Sequence, residues 1–186
     1  MKDIQNELKQ YEILLNYAGL ALGLVSAAYM FINNTLSTSG MSGGLATLIG
    51  MLAWIIKFAG CIILMKFFIK KFSVQHPEAT NKDTFKMGVA TALLSALLYS
   101  SIQFADMVYI SADTYKQQYE IVMQSLGSQM DSNTLKFMKD YFEILPEVSF
   151  IGNLIYCFLF GTIVSSIISR NIPSKDPFAD YKPDEQ

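Results

Sequence analysis

No charged side chain occurs between Glu12 and Lys57, and two further uncharged apolar runs follow, Met87–Ala105 and Val148–Ser169. A helix rises ~1.5 Å per residue, so a hydrocarbon core of ~30 Å takes about 20 residues to cross. Each run is long enough to span a bilayer, and the first is too long for a single crossing. Its interruption, NNTLSTSGMSGG from Asn33 to Gly44, is dense in residues that favour turns, and it predicts a hairpin of two helices. The expected fold is therefore all-α, a four-helix transmembrane bundle with spans at about 13–32, 45–69, 85–110 and 148–169.

Composition agrees, because 16% charged residues falls well below the roughly 25% typical of soluble domains. A cleavable signal peptide is the competing reading of the first span. Its leader carries Asp3, Glu7 and Glu12, however, and its apolar stretch exceeds the usual h-region of roughly 7–15 residues. One membrane domain, 1–170, accounts for nearly the whole chain and leaves 171–186 as a tail. That tail holds Pro173, Pro177 and Pro183 among charges, and it is expected to be disordered or laid on a partner.

Cytoplasmic flanks of membrane proteins collect Lys and Arg. One side of this chain carries Lys2, Lys9, Lys66, Lys70, Lys71, Lys82, Lys86, Arg170, Lys175 and Lys182; the other carries Lys116, Lys136 and Lys139. The expected orientation puts both termini in the cytoplasm. Lys66, Lys70, Lys71, Lys82 and Lys86 then surround the inner loop, where contact with anionic lipid headgroups is expected. The same loop holds the sole histidine, His76, which reads as a solvated residue.

The outer segment, about 113–143, repeats apolar residues at helical spacing. Tyr115, Tyr119, Val122, Met123 and Leu126 form one stripe, and Leu135, Met138, Tyr141 and Phe142 form a second. Gly127 separates them, and Asp131 or Ser132 offers a cap for the second helix. Two amphipathic helices lying along the interface or folded over the bundle mouth are expected. Asp140, Glu143 and Glu147 read as a solvated acidic face rather than a metal site.

Within the spans, helices must approach closely, because lipid offers no hydrophobic drive for them to associate. Small residues supply that approach: Gly19, Gly23 and Ala27; Ala46, Gly50, Ala53 and Gly60; Gly88, Ala92 and Ala96; Gly161, Ser165 and Ser169. Lys57 is the exception, a charge deep in the second span whose insertion costs about 2.5–3.5 kcal/mol. Tyr99 is expected at its depth, with Gln103 and Asp106 above on the same stripe, so the four form a candidate polar cluster that Tyr29, Asn153 and Tyr156 are placed to join. A register-fixing network, a ligand, lipid-headgroup or ion site, and a proton-coupled transport route are the three readings of such a cluster. Cys61 and Cys157 are expected at depths differing by about 10 Å, beyond disulfide reach.

Signatures of catalysis are missing: the sequence has no Walker loop and no HExxH, CxxC, GxSxG or Asp-x-Asp pattern. The expectation is a protein that is not an enzyme, with no cofactor, no metal and no nucleic-acid partner.

The order of features is familiar: a charged leader, YAGLALGL at Tyr17–Leu24, a glycine-rich outer turn, a basic inner loop, TFKMG at Thr84–Gly88, and a long amphipathic outer segment before the last span. In this the chain resembles the bacterial membrane family called domain of unknown function 4199. The resemblance implies the inner membrane of a Gram-negative bacterium, with the outer segment periplasmic, and brings no functional residues with it. It also implies a setting beside a glycosyltransferase acting on polyprenyl phosphate. Two roles follow as expectations. One is a non-catalytic accessory or scaffolding subunit bound to another membrane protein or to copies of itself; the other is a small transporter or lipid-handling protein working through Lys57.

Overall fold

A computed structural model describes residues 2–39, 43–126 and 130–172, with side chains from Lys9 onward. Among the described residues the chain is entirely helical. Four long helices, α1 (Lys2–Thr38), α2 (Gly43–Gln75), α3 (Asn81–Ala105) and α6 (Leu145–Arg170), are joined by two short ones, α4 (Ala112–Leu126) and α5 (Ser132–Glu143). All four long helices contain apolar stretches sufficient to cross a membrane. The expected tail from 173 onward and the break at Gly127 lie outside the described residues.

α1 extends further than its composition predicts. Asn33–Thr38 continues α1 instead of turning, because the hydroxyls bond back onto the helix: Thr35 Oγ1 donates to Phe31 O at 2.8 Å and Ser37 Oγ to Asn33 O at 2.9 Å. Polar residues whose hydroxyls are satisfied in this way can extend a helix toward the outer interface. The turn between α2 and α3 is closed by a cap. Thr80 caps α3 in a reciprocal box, with Thr80 N donating to Asp83 Oδ2 at 3.1 Å and Asp83 N to Thr80 Oγ1 at 3.4 Å.

α3 is the central helix, with α1 and α6 against it, and small residues set both contacts. A Cβ on Gly19 would lie 2.6 Å from Leu94 Cβ, and one on Gly23 would lie 2.7 Å from Leu98 Cδ2, so α1 and α3 run parallel in tight register. Gly88 takes the Ser165 side chain, and Gly161 takes Ala92, which makes α3 and α6 antiparallel. Ser165 Oγ also donates to Phe85 O at 3.1 Å, a hydrogen bond between spans. The core is stacked in three layers: Leu14, Ala18, Phe72 and Met87 at the inner end, Leu22, Met65, Ile69, Ala92 and Ile168 in the middle, and Ala27, Met30 and Tyr99 toward the outer end.

α2 is the outlier. Its buried residues, Met65, Ile69 and Phe72, all lie in its inner half. Met65 Cε lies 3.6 Å from a Cβ placed on Gly161, and Phe58 packs on Phe160 with ring centroids 4.9 Å apart, so α6 touches α2 as far out as Phe58. Farther out, the surface at Gly50 and Trp54 is shared with α1 alone. Asp131 caps α5 by accepting from Thr134 N at 2.7 Å, and Tyr119 of α4 stacks on Phe142 of α5 with centroids 4.3 Å apart. The two outer helices bury no residue fully and leave Ile121 and Phe137 exposed. Asp140, Glu143 and Glu147 are exposed as well.

Candidate functional site

Lys57 enters from α2 and its ammonium lies over three aromatic faces, 5.0 Å from the Tyr29 centroid, 5.2 Å from Tyr99 and 5.4 Å from Phe58. Tyr29 and Tyr99 stand on α1 and α3, so three spans meet at one cation. Each desolvated cation–π contact is worth about 0.5–2 kcal/mol, and three together are commensurate with the insertion cost of a lysine. The charge is thus accommodated without a carboxylate. Beside it is a cavity of about 40 Å³ among the four spans, lined by Ser26, Cys61, Ser95, Tyr156 and Cys157 together with Lys57. The exposed surface of this cavity is almost wholly apolar. Cys61 and Cys157 are both free thiols that line this one cavity.

The expected four-residue cluster is divided. Lys57 and Tyr99 meet, but Asp106 belongs to a second site. Seven residues separate Tyr99 from Asp106, ~10.5 Å along a helix, whereas a lysine stem reaches only ~6 Å. Gln103 lies between, its Oε1 buried without a partner. Asn153 turns back onto its own helix and donates to Ser149 O at 2.8 Å.

Asp106 is 1% exposed. It opens a π-helical turn, Asp106–Ile110, which closes through Ser111 N donating to Asp106 O at 2.7 Å. Turns of this kind widen a helix and recur at functional sites. The carboxylate accepts from Ser111 Oγ at 2.9 Å through Oδ1 and from Asn34 Nδ2 at 2.9 Å through Oδ2. Asn34 is available only because α1 runs on past the turn residues that sequence composition suggests. Above the carboxylate lies a polar cleft of about 430 Å³ between α1 and the first turns of α4, with Thr38, Thr114, Tyr115 and Gln118 on its walls. Burial and the Asp106 carboxylate push the Tyr115 phenol above its ordinary value, with Asn34 acting in the opposite direction. Asn34 is the residue sequence reasoning missed, and its one signal was an amide side chain two residues beyond the apolar run.

At the inner end Lys66, Lys70, Lys71, Lys82 and Lys86 are all exposed, the first three on α2 and the last two on α3. Among the described residues the ion pairs are His76–Glu78 at 3.5 Å and Lys86–Asp83 at 3.7 Å. His76 is not freely solvated: its side chain is 15% exposed and stacks on Phe72 with centroids 4.7 Å apart. A third feature lies between the outer halves of α1 and α2, a groove of about 480 Å³ lined by Asn33, Ser37, Thr47, Gly50, Met51 and Trp54 among others. Gly50 meets only Asn33 Oδ1 there, at 3.7 Å.

The model of a family described as "Protein of unknown function (DUF4199)" matches residues 17–170. No curated protein and no solved structure matches the chain.

Proposed function

The chain belongs to this family of unknown function, a match that takes in all four spans, and on that premise we propose that it serves as a non-catalytic subunit of a membrane complex. The observation that carries this reading is the outer half of α2. Leu45, Leu48, Met51, Leu52, Trp54, Ile55 and Ile56 are all exposed there, while Gly50 and the polar Asn33, Ser37 and Thr47 line a groove beside them. Lipid tails satisfy an apolar face. The Ser37 and Thr47 hydroxyls are already bonded, to Asn33 O and Gly43 O, but lipid does not satisfy the Asn33 side-chain amide in a groove floored by glycine, whereas a neighbouring helix with small or polar residues does. The occupant is a transmembrane helix of a second protein, for which a glycosyltransferase acting on polyprenyl phosphate is the leading class. The setting is the bacterial inner membrane, with both termini cytoplasmic and α4–α5 periplasmic, as the Lys and Arg bias supports. The exposed lysines at the inner end of α2 and the start of α3 then meet anionic headgroups.

Photo-crosslinking in the native membrane tests this. A photoreactive residue at Met51 or Trp54 is expected to capture one discrete membrane protein, and one at Ile163, on the exposed face of α6, is expected to give lipid adducts. Lipid adducts alone from all three positions would refute the docking reading.

A second reading rests on the Lys57 cavity, where a small anion or a lipid phosphate would find a cation with no carboxylate partner among the described residues. If Lys57→Met leaves stability and activity in the host unchanged, that reading is lost.

A further inference from the structure

We propose that the cleft above Asp106 binds the ammonium group of an amine ligand. A carboxylate offers about four lone-pair sites, and Asp106 uses two, on Ser111 and Asn34. A carboxylate so deeply buried, with only neutral donors, bears a desolvation cost of several kcal/mol that a cationic partner offsets. Among the described residues no Lys or Arg lines the cleft. One negative charge matches one positive charge. A divalent cation is a poorer fit, because such ions favour six or more oxygen ligands and usually more than one carboxylate. The walls decide between an inorganic monocation and an organic one. Phe31 and Tyr115 stand in the same cleft as Thr38, Thr114 and Gln118, so apolar and aromatic surface is offered along with hydrogen-bonding groups. An ammonium carried on carbon uses both kinds of surface, as aromatic-walled sites for amines do. A bare ion uses only the oxygens. The volume, about 430 Å³, exceeds what an ion needs and suits a small amine or an aminated headgroup. Such an amine has two sources: a free solute, or a phosphatidylethanolamine headgroup at the bilayer surface.

The test uses the full chain in lipid nanodiscs, followed by the thermal unfolding midpoint. One arm adds ethanolamine to phosphatidylglycerol discs, with sodium chloride at matched ionic strength as control. The other replaces half the lipid with phosphatidylethanolamine and adds no amine. A rise of a few degrees is expected in at least one arm, and it should be absent in Asp106→Asn, which keeps the shape but not the charge. A rise with free ethanolamine alone assigns a soluble amine, and a rise with the lipid alone assigns the headgroup. Thr114→Lys places a tethered ammonium in the cleft; it is expected to raise the midpoint unaided and to abolish the response. No rise in either arm, an equal rise with sodium, or an undiminished rise in Asp106→Asn would overturn the proposal. Should Asp106→Asn fail to fold, a Thr114→Lys protein that responds like the wild type overturns it equally.

Discussion

Asn34 Nδ2 donates to Asp106 Oδ2 at 2.9 Å, joining the outer ends of α1 and α3 across 72 positions of sequence. Hydrogen bonds to charged groups contribute about 1.5–3 kcal/mol, and leaving a buried carboxylate short of a donor adds to the loss. Asn34→Ala is therefore expected to lower stability by about 2 kcal/mol in detergent unfolding. An Asn34→Ala protein with wild-type stability would show that the bond holds nothing.

Gly88 and Ser165 make the closest contact between α3 and α6. A Cβ at Gly88 would meet the Ser165 side chain and come within 2.9 Å of Ile69 Cδ1. Overpacking of this kind costs about 1–3 kcal/mol. Gly88→Ala is expected to lose that much, and the double variant Gly88→Ala with Ser165→Gly to regain part of it. Gly152 is the control. Nothing lies within 4 Å of its Cβ position, so Gly152→Ala should be neutral or stabilising by about 1 kcal/mol through helix propensity.

The three rings around Lys57 give a separable expectation. Tyr99→Phe keeps the aromatic face and should change stability little, whereas Tyr99→Leu removes it and should cost about 1–2 kcal/mol, a difference that Lys57→Met cancels. A double-mutant cycle of Lys57 and Tyr99 measures this. Zero coupling would contradict the cation–π account.

The span count, the parallel placement of α1 and α3 and the small-residue contacts of α1, α3 and α6 were legible in the sequence, because charge-free length and glycine spacing follow from bilayer thickness and backbone approach; the small-residue face expected on α2 makes no such approach, since a Cβ on Gly50 or Gly60 would meet one atom, at 3.7 or 3.8 Å. Lys57 and Tyr99 were legible for the same reason: depth can be counted along a helix. Asp106 was misplaced. Its partner Asn34 lies in a segment whose Asn, Ser and Thr content reads as a turn, and whether hydroxyls bond back onto a helix or initiate a loop depends on tertiary contacts that composition does not carry.

Outside the bilayer, the Asp131 cap gives a pH dependence. Thr134 side-chain and backbone hydrogen bonds hold the Asp131 carboxyl below its ordinary value. A depressed acid stabilises the folded form above the unfolded value of about 3.9, and the contribution is lost as pH falls through the folded one. Protection of the Thr134 amide, its exchange measured against the intrinsic rate at each pH, is thus expected to hold at neutral pH and to fall only in acid below the usual carboxylate range. Asp131→Ala should lack that protection at every pH, and Asp131→Asn should keep it without the acid loss.

The account turns on whether the groove beside Gly50 holds a second protein. Native mass spectrometry after extraction from the host membrane in a mild detergent measures this directly. The prediction is a fixed-ratio complex of this chain with one other membrane protein, dispersed by Gly50→Leu while the chain itself stays folded. A wild-type chain found alone or only with copies of itself, carrying lipid and unaffected by Gly50→Leu, would contradict it.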